Sequence, residues 1–361
     1  MRNAFRRKKR LVLASVCLLL ALCILDLTVY KESVLESFGG QFVNEERTHS
    51  YGRLNWGVTA TEDRRLEVDR GSIREVALSL RGGNIAVGRA DGPSIRLSYT
   101  VTVSARDKEA AQRRLERVTV KGTTEDGRLV FETAENDKRV SLDRIAIRYE
   151  LLVPDGLKVD LDASSAAVAI RDVSGDIEVK AEGGMAELAN TTGNVTASVN
   201  GASLYVSGMQ GSVSVDNRFG YLTVEQVRGD VKLTGIGGET FVAGVTGKVS
   251  GDMQQGSVHI RDIAGPVAMA IRSASLLLDG VRGDIDATSS GSEVRLVLPA
   301  SEGYALELEA AQGGRILTPP WMPAAQDPED GGRSVLSTKL GDGAHRMNVR
   351  TNGASISVHV R

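Results

Sequence analysis

Histidines and carboxylates are the side chains in this sequence that could carry catalysis or hold a metal ion, and they are not clustered. The four histidines lie far apart, at His49, His259, His345 and His359. His259 and His359 each stand between apolar residues of an alternating segment, and alternation places successive side chains on opposite faces of a strand. We therefore expect both to be ordinary outward-facing histidines rather than ligands or catalytic bases.

Two other patterns suggest chemistry only weakly. Residues 244–249, GVTGKV, hint at a phosphate-binding loop, but valine follows the lysine where that motif requires serine or threonine, and the glycine spacing differs. The pairs Asp160/Asp162 and Glu178/Glu187 could serve a polysaccharide-active enzyme. Such an enzyme needs a cleft that shifts a carboxyl pKa and excludes water, and the regular sequence around these acids has no insertion to build one. We predict no catalytic residue, no metal site, no cofactor and no enzymatic activity.

A glycine repeat determines the predicted fold. Glycine recurs every 18 residues, at Gly175, Gly193, Gly211, Gly229, Gly247, Gly265 and Gly283. Positions two, four, eleven and thirteen after each glycine are mostly apolar, so each unit contains two short alternating strands separated by small-residue turns such as Gly183-Gly184. One such unit cannot bury its apolar side chains alone, so units must stack. We predict an all-β protein, a parallel β-solenoid (β-helix) with 18-residue coils of two main strands over residues 157–298.

The position after each repeated glycine is mostly polar but variable. It reads Asp176, Asn194, Ser212, Asp230, Lys248, Pro266 and Asp284. A calcium-binding β-roll needs a regular aspartate in its glycine-rich turns, and this series includes a lysine and a proline. The repeat therefore does not predict a calcium ladder.

One outward-facing column is less polar than the rest. Twelve residues after each glycine come Glu187, Tyr205, Thr223, Phe241, His259, Leu277 and Arg295. We use the name outer stripe for Tyr205, Thr223, Phe241, His259 and Leu277 together with Tyr221, which is predicted on the same strand face. Stacked at about 4.8 Å per coil, the stripe is about 20 Å long. Exposed apolar patches often mark a contact surface; the alternatives are that the chain's own loop at 312–333 covers it, or that it has no role.

The N-terminus has the layout of a membrane signal. Residues 1–10 carry six basic side chains and no acidic one, and residues 11–25 are uncharged. This favours a transmembrane signal anchor over 11–30 with the basic tail in the cytoplasm; a cleaved signal peptide and a lipoprotein signal at Cys23 are the alternatives. The only cysteines, Cys17 and Cys23, fall inside this segment, so the exported part has no disulfide. After Tyr30 the net charge is −7, and we predict no nucleic-acid partner because such binding draws on a basic surface.

The remaining segments are predicted to connect and close the solenoid. Residues 31–65 are predicted to form an extracytoplasmic linker. Residues 66–156 are predicted to form irregular N-terminal coils with a short helix between Asp107 and Arg117, which protects the edge strand from aggregation. Residues 299–361 are predicted to add C-terminal coils and a cap, interrupted by the proline-rich loop 312–333.

These features together carry a family resemblance. The resemblance rests on the N-terminal anchor, on Pro154-Asp155-Gly156 leading into Gly-Asp-Ile and Gly-Asn-Val coils, and on the closing residues 352–358, NGASISV. In these features the chain resembles the bacterial putative-adhesin family of β-solenoid domains of unknown function, which includes LiaG-like membrane-anchored envelope proteins. The resemblance covers residues 66–361 and implies an envelope location, with no catalytic residue to carry over.

From these patterns we expect a single-pass membrane protein with an extracytoplasmic solenoid that binds wall polymer or an envelope protein. The alternatives are an accessory or sensor subunit of an envelope-stress signalling system, and a polysaccharide-active enzyme.

Overall fold

A computed structural model describes residues 57–136, 138–140, 143–326 and 332–361. The predicted cytoplasmic tail and anchor, residues 1–30, lie outside these ranges, as does the linker up to residue 56. Within the described ranges no helix has both the length and the apolar character needed to cross a membrane.

Residues 157–298 form stacked coils that contribute to two parallel sheets. The strands are β9 Lys158–Arg171, β10 Ile177–Ala189, β11 Val195–Asn200, β12 Ser203–Gln210, β13 Val213–Arg218, β14 Tyr221–Arg228, β15 Val231–Ile236, β16 Glu239–Val245, β17 Val249–Gln254, β18 Ser257–Ile263, β19 Val267–Arg272, β20 Ser275–Val281, β21 Ile285–Ser290 and β22 Val294–Leu298. From β11 to β22, odd-numbered strands lie in the first sheet and even-numbered strands in the second, whereas β9 and β10 each run through both sheets. Neighbouring strands pair with a constant shift of 18 residues, as in Val195 beside Ile177 and Val213. The predicted all-β, solenoid-type fold is confirmed.

The core lies between the two sheets and is thin and aliphatic. Within one coil the inward side chains include Val195, Ala197, Leu204 and Val206, all about 2% exposed or less. Burying a valine or leucine fully contributes about 1.5–3 kcal/mol, and each coil is covered by the next. The repeated apolar positions therefore stabilise the stack rather than any single coil.

The repeated glycines are needed because adjacent turns nearly touch. At Gly211 the backbone has φ +145°, and an added Cβ would lie 2.1 Å from the carbonyl oxygen of Gly193 in the preceding coil. The variable polar position after each glycine also has a structural role. The Asp176 carboxylate accepts a hydrogen bond from the Asn194 backbone N–H at 2.9 Å, and the Asp230 carboxylate accepts one from that of Lys248 at 2.8 Å. These side chains tie one turn to the next.

The N-terminal part closes the first end of the stack. Its elements are β1 Val58–Asp69, β2 Glu75–Arg81, β3 Asn84–Arg89, β4 Ser94–Ala105, helix α1 Lys108–Leu115, β5 Val118–Glu125, β6 Arg128–Glu135, β7 Lys138–Arg139 and β8 Ile145–Val153. Strands β2 and β3 stack on β9, while β6 and β8 stack on β2 and β3. Strand β2 thus lies between β6 and β9, and β3 lies between β8 and β9, although β2 and β3 come earlier in the chain than these neighbours. Antiparallel strands extend both sheets: β5 beside β6, β4 beside β8, and β1 beside β4.

One boundary needs correction. Residues 58–65, predicted to belong to the linker, form the first part of β1, where Val58 pairs with Ala105 and Arg65 with Ser98. Their side chains are exposed or half-buried, so this half of the strand has no buried apolar side chain to reveal it in the sequence. It is held by antiparallel pairing with β4 instead.

At the C-terminal end, too, the strands that stack directly on the regular coils are not the next ones along the chain. Its strands are β23 Tyr304–Ala311, β24 Ile316–Leu317, β25 Ser334–Leu340, β26 His345–Asn352 and β27 Ile356–Val360. The last two, β26 and β27, stack directly on β21 and β22, and the earlier β23 and β24 stack outside them. Antiparallel β25 extends the first sheet beyond β23.

Candidate functional site

The second sheet brings the outer stripe together in the predicted register. Tyr205 pairs with Thr223, Thr223 with Phe241, Phe241 with His259, and His259 with Leu277. The column is straight because each coil has the same length. Tyr221 lies in the adjacent column, beside Ser203 and Glu239. The predicted site residues therefore share one face of the sheet.

Contacts between neighbouring side chains order the middle of the stripe. The Phe241 and His259 rings meet edge to face, with centroids 5.2 Å apart and planes at 82°. The Arg261 guanidinium lies over the Phe241 ring, 5.7 Å from its centroid, within the range of a cation–π contact. At the upper end, the Tyr205 hydroxyl donates to the Glu225 carboxylate at 3.2 Å. The stripe is thus a packed row of side chains held by polar neighbours.

Burial at this face changes the titration of two stripe residues. Burial lowers the pKa of His259, and Arg261 acts in the same direction, although the Asp279 carboxylate opposes both. The Nε2 atom of His259 is buried and has no hydrogen-bond partner among the described residues. Burial raises the pKa of Tyr205, and Glu225 adds to that rise. We expect His259 to be neutral at pH 7, so it presents an apolar ring face rather than a charge.

The stripe is exposed to different extents along its length. Tyr205, Thr223, Phe241, His259 and Leu277 are half-buried. Tyr221 is 64% exposed, and its neighbour Phe219 is 63% exposed.

Phe219 was missed in the sequence because it lies in a turn rather than on a strand. It has φ +57° and its ring lies against Gly237, where an added Cβ would be 2.5 Å from the Phe219 ring. The available signal was one bulky residue at a turn position that is glycine in adjacent coils, Gly201 and Gly237.

The loop 312–333 was one predicted cover for the stripe. Its short strand β24 pairs with β27 at the C-terminal end of the stack, and Gln326 pairs with Val335 at the first sheet. Trp321 is 63% exposed, whereas Met322 is 6% exposed and packs into the end of the core. The described residues of this loop therefore cover the end of the solenoid and not the coils that carry Tyr205, Tyr221 and Phe241.

Three of the four carboxylates considered for catalysis, Asp160, Glu178 and Glu187, are held in ion pairs. Asp160 contacts Arg128 at 2.6 Å, and Glu187 contacts Arg171 at 2.7 Å. Glu178 contacts Lys158 at 3.0 Å and Lys180 at 3.2 Å. Hydrogen bonds from Lys158 and Lys180 lower the pKa of Glu178, whereas burial and the neighbouring Glu178 charge raise that of Asp160. Two of these contacts, Lys158–Glu178 and Arg171–Glu187, link the neighbouring strands β9 and β10, the first at the first sheet and the second at the second sheet.

Other predicted features fall where the repeat places them. Residues 244–249 run from the end of β16 through a turn to the start of β17, and Gly247 packs on the carbonyl oxygen of Gly229. His359 is exposed at the end of β27. Within the part of the chain that the structure describes, no three His, Cys, Asp or Glu side chains are grouped so that they could hold a metal ion.

Comparison with curated proteins found no match. Solved structures similar to this chain include a "putative cell adhesion protein" from Clostridium sporogenes, with 11% identity, TM-score 0.21, and coverage of 84% of this chain and 100% of that one. A "putative lipid binding protein" from Parabacteroides distasonis has 11% identity and TM-score 0.35, covering 82% and 96%. A "putative adhesin" from Bacteroides fragilis has 10% identity and TM-score 0.26, covering 83% and 97%.

One protein-family model matches most of the chain. Residues 73–352, which include all the regular coils and the inserted strands β2, β3 and β26, match the family described as Toastrack DUF4097. This agrees with the putative-adhesin resemblance drawn from the coil motifs. The chain belongs to the Toastrack DUF4097 family.

Proposed function

We propose that this protein is a non-enzymatic binding protein of the bacterial envelope, anchored by one N-terminal transmembrane helix, with its solenoid outside the membrane. Its contact face is the outer stripe, and its partner is an extended wall polymer or an envelope protein. The observation that carries this proposal is the register of the second sheet, which aligns Tyr205, Phe241 and His259 in a straight, partly exposed row.

The stripe is suited to binding because it is already ordered. Aromatic side chains provide large contact area, and their rings offer apolar faces to a partner. Phe241 is held between His259 and Arg261, and Tyr205 is held by Glu225. Side chains fixed before binding lose less conformational entropy on association, which leaves more of the contact energy as affinity. A row about 20 Å long matches an extended chain better than a compact small molecule.

The anchor and location are supported by the sequence alone. Six basic residues precede the uncharged stretch 11–25, and no cysteine follows Cys23. The domain contains no cysteine and therefore no disulfide, so the stacked coils and their core must supply its stability. Without protease, the chain should be found in the membrane fraction; protease added to intact spheroplasts should digest the solenoid domain.

The test is binding of the full chain, in a neutral detergent, to purified cell wall and to solubilised membrane proteins. The variants are Tyr221→Ser and Phe241→Ser, and Trp321→Ser is the matched control because Trp321 is equally exposed but lies on the C-terminal loop. Truncating a central aromatic contact costs about 2 kcal/mol or more, so we expect binding at least about 30-fold weaker for the stripe variants and unchanged binding for the control. Circular dichroism checks that the fold is retained.

The outcomes distinguish the candidate functions. Retention on cell wall that depends on the stripe supports the polymer-binding form of the proposal, and stripe-dependent capture of a membrane protein supports the accessory-subunit form. Binding that both stripe variants retain at full strength would refute the stripe as the contact face. Release of reducing sugar from wall polysaccharide would contradict the non-enzymatic assignment.

A further inference from the structure

A groove lined by arginines lies at the N-terminal end of the domain, away from the outer stripe. Its volume is about 540 Å³, and it is formed by the end of β4, by α1, and by the segment leading into β8. We call it the arginine groove. Its arginines are Arg106, Arg113, Arg114, Arg117 and Arg144.

The acidic residues in the groove are largely engaged elsewhere. The Asp107 carboxylate caps α1 by accepting from the Ala110 backbone N–H at 2.7 Å. Glu135 is held by Arg114, which donates to its two carboxylate oxygens at 3.0 and 3.3 Å. Asp143 is the remaining acidic residue of the lining. The groove is therefore positively charged on a domain whose overall charge is negative.

Three of the arginines are available for a ligand. Arg113 pairs with Glu109 on α1 at 3.5 Å. Arg106, Arg117 and Arg144 are exposed, and within the described ranges their side chains have no ion pair or hydrogen bond. Guanidinium groups bind phosphate oxygens in a bidentate manner, so several unpaired arginines around one groove suit a phosphate group.

A buried hydroxyl provides a second, independent observation. Ser104 lines the same groove, is 2% exposed, and its Oγ atom has no hydrogen-bond partner among the described residues. A buried hydroxyl without a partner is uncommon in folded proteins and destabilises them. An anion bound at the floor of the groove would accept its hydrogen bond.

The position of the groove indicates the source of the phosphate. The described chain begins beside it: Gly57 packs on Ala105, and Val58 pairs with the same residue. The chain that leads from the proposed anchor thus enters the domain next to the groove, where anionic lipid headgroups would be concentrated near a tethered domain. We propose that the arginine groove binds the phosphate of anionic phospholipid headgroups through Arg106, Arg117 and Arg144. This inference rests on the membrane anchor of the proposed function.

The test uses the full chain reconstituted in nanodiscs of phosphatidylcholine, with or without phosphatidylglycerol. Hydrogen exchange of the amides in α1 and around Arg144 reports contact. We expect phosphatidylglycerol to slow this exchange, and added salt to reverse the effect because salt screens exposed charges. An arginine near an anionic surface contributes about 1 kcal/mol, or about 5-fold in affinity. The triple variant Arg106→Gln, Arg117→Gln, Arg144→Gln should therefore lose the protection, and Arg228→Gln, an exposed arginine on the regular coils, should keep it.

Each result decides the proposal. Equal exchange in both lipids, or protection that persists in the triple variant, would overturn it. Protection by inorganic phosphate in phosphatidylcholine discs, with none from phosphatidylglycerol, would assign the groove to a free phosphate and overturn the lipid assignment. Failure of the chain to enter the discs would refute the anchor alone; the same variants would then be compared by cosedimentation with phosphatidylglycerol vesicles, and loss of binding in the triple variant only would still support the groove.

Discussion

Replacing Gly211 by alanine should destabilise the solenoid far more than replacing a glycine of the opposite turn. The added Cβ at Gly211 would lie 2.1 Å from the Gly193 oxygen and 2.7 Å from the Gly193 carbonyl carbon. Both atoms belong to backbone, so neither can rotate away as a side chain would. The turns must separate, although the Gly193 N–H donates to Gln210 at 3.0 Å and the Gly211 N–H to Arg228 at 3.1 Å.

The magnitude follows from two contributions. A non-glycine residue at φ +145° carries backbone strain of about 1–3 kcal/mol. Weakening the two backbone hydrogen bonds costs about 1 kcal/mol each. We expect Gly211→Ala to lower the free energy of unfolding by about 3–5 kcal/mol. Gly201→Ala should cost about 1–2 kcal/mol, because Gly201 has φ +60° and nothing within 4 Å of an added Cβ.

The assay is urea unfolding of both variants and the parent, followed by circular dichroism of the β-sheet signal. Long repeat arrays can lose two-state behaviour, so equal slopes against urea are required before the free energies are compared. Gly92→Ala provides a further control, since nothing lies within 4 Å of its added Cβ and its φ lies outside the left-handed region. Equal losses for Gly211→Ala and Gly201→Ala would refute the inference that close approach of the turns requires glycine.

Two further predictions concern polar groups in the coils. Asn217→Ala should lower the free energy of unfolding by about 1–3 kcal/mol, because buried Asn217 accepts from the Gly220 N–H at 3.2 Å and the variant leaves that donor unpaired. The control Asn200→Ala, at an exposed position, should change the free energy of unfolding by less than about 0.5 kcal/mol. Similar losses in the two variants would contradict the role given to Asn217. His259 has a folded-state pKa below its ordinary value of about 6.5, so the unfolded chain takes up the proton first and stability falls as the pH drops through about 6.5 towards the folded-state pKa. Unfolding free energies measured between about pH 8 and pH 5 should show a smaller loss in His259→Gln than in the parent or in His359→Gln, and an unchanged loss would show that His259 does not contribute.

The repeat and the stripe were predictable because both depend on a constant interval. Once each coil is 18 residues long, Tyr205, Thr223 and Phe241 must lie one above another, and alternation decides which face they share. The extent of exposure was not predictable in the same way. It depends on neighbours in other columns, such as Arg261 over Phe241, and on the loop at 312–333, whose β24 pairs at the end of the stack.

The arginine groove had no local signal in the sequence. Arg106 and Arg117 flank α1, whereas Arg144 comes from the segment before β8. Antiparallel pairing of β4 with β8 brings these segments together. The sequence shows only separate arginines among acidic residues, because the interval between them follows no repeat.

By itself, the sequence determined the coil length, the two strands of each coil, the inward side chains and the alignment of the outer stripe. These are consequences of local alternation and a fixed period, which act between residues 2 or 18 positions apart. Only the tertiary structure decided the order of the end coils, with β2 and β3 placed inside β6 and β8, and β26 and β27 inside β23 and β24. Any apolar strand of suitable length can cover an open end of the core. Which strand of the chain does so therefore depends on the packing of the whole chain.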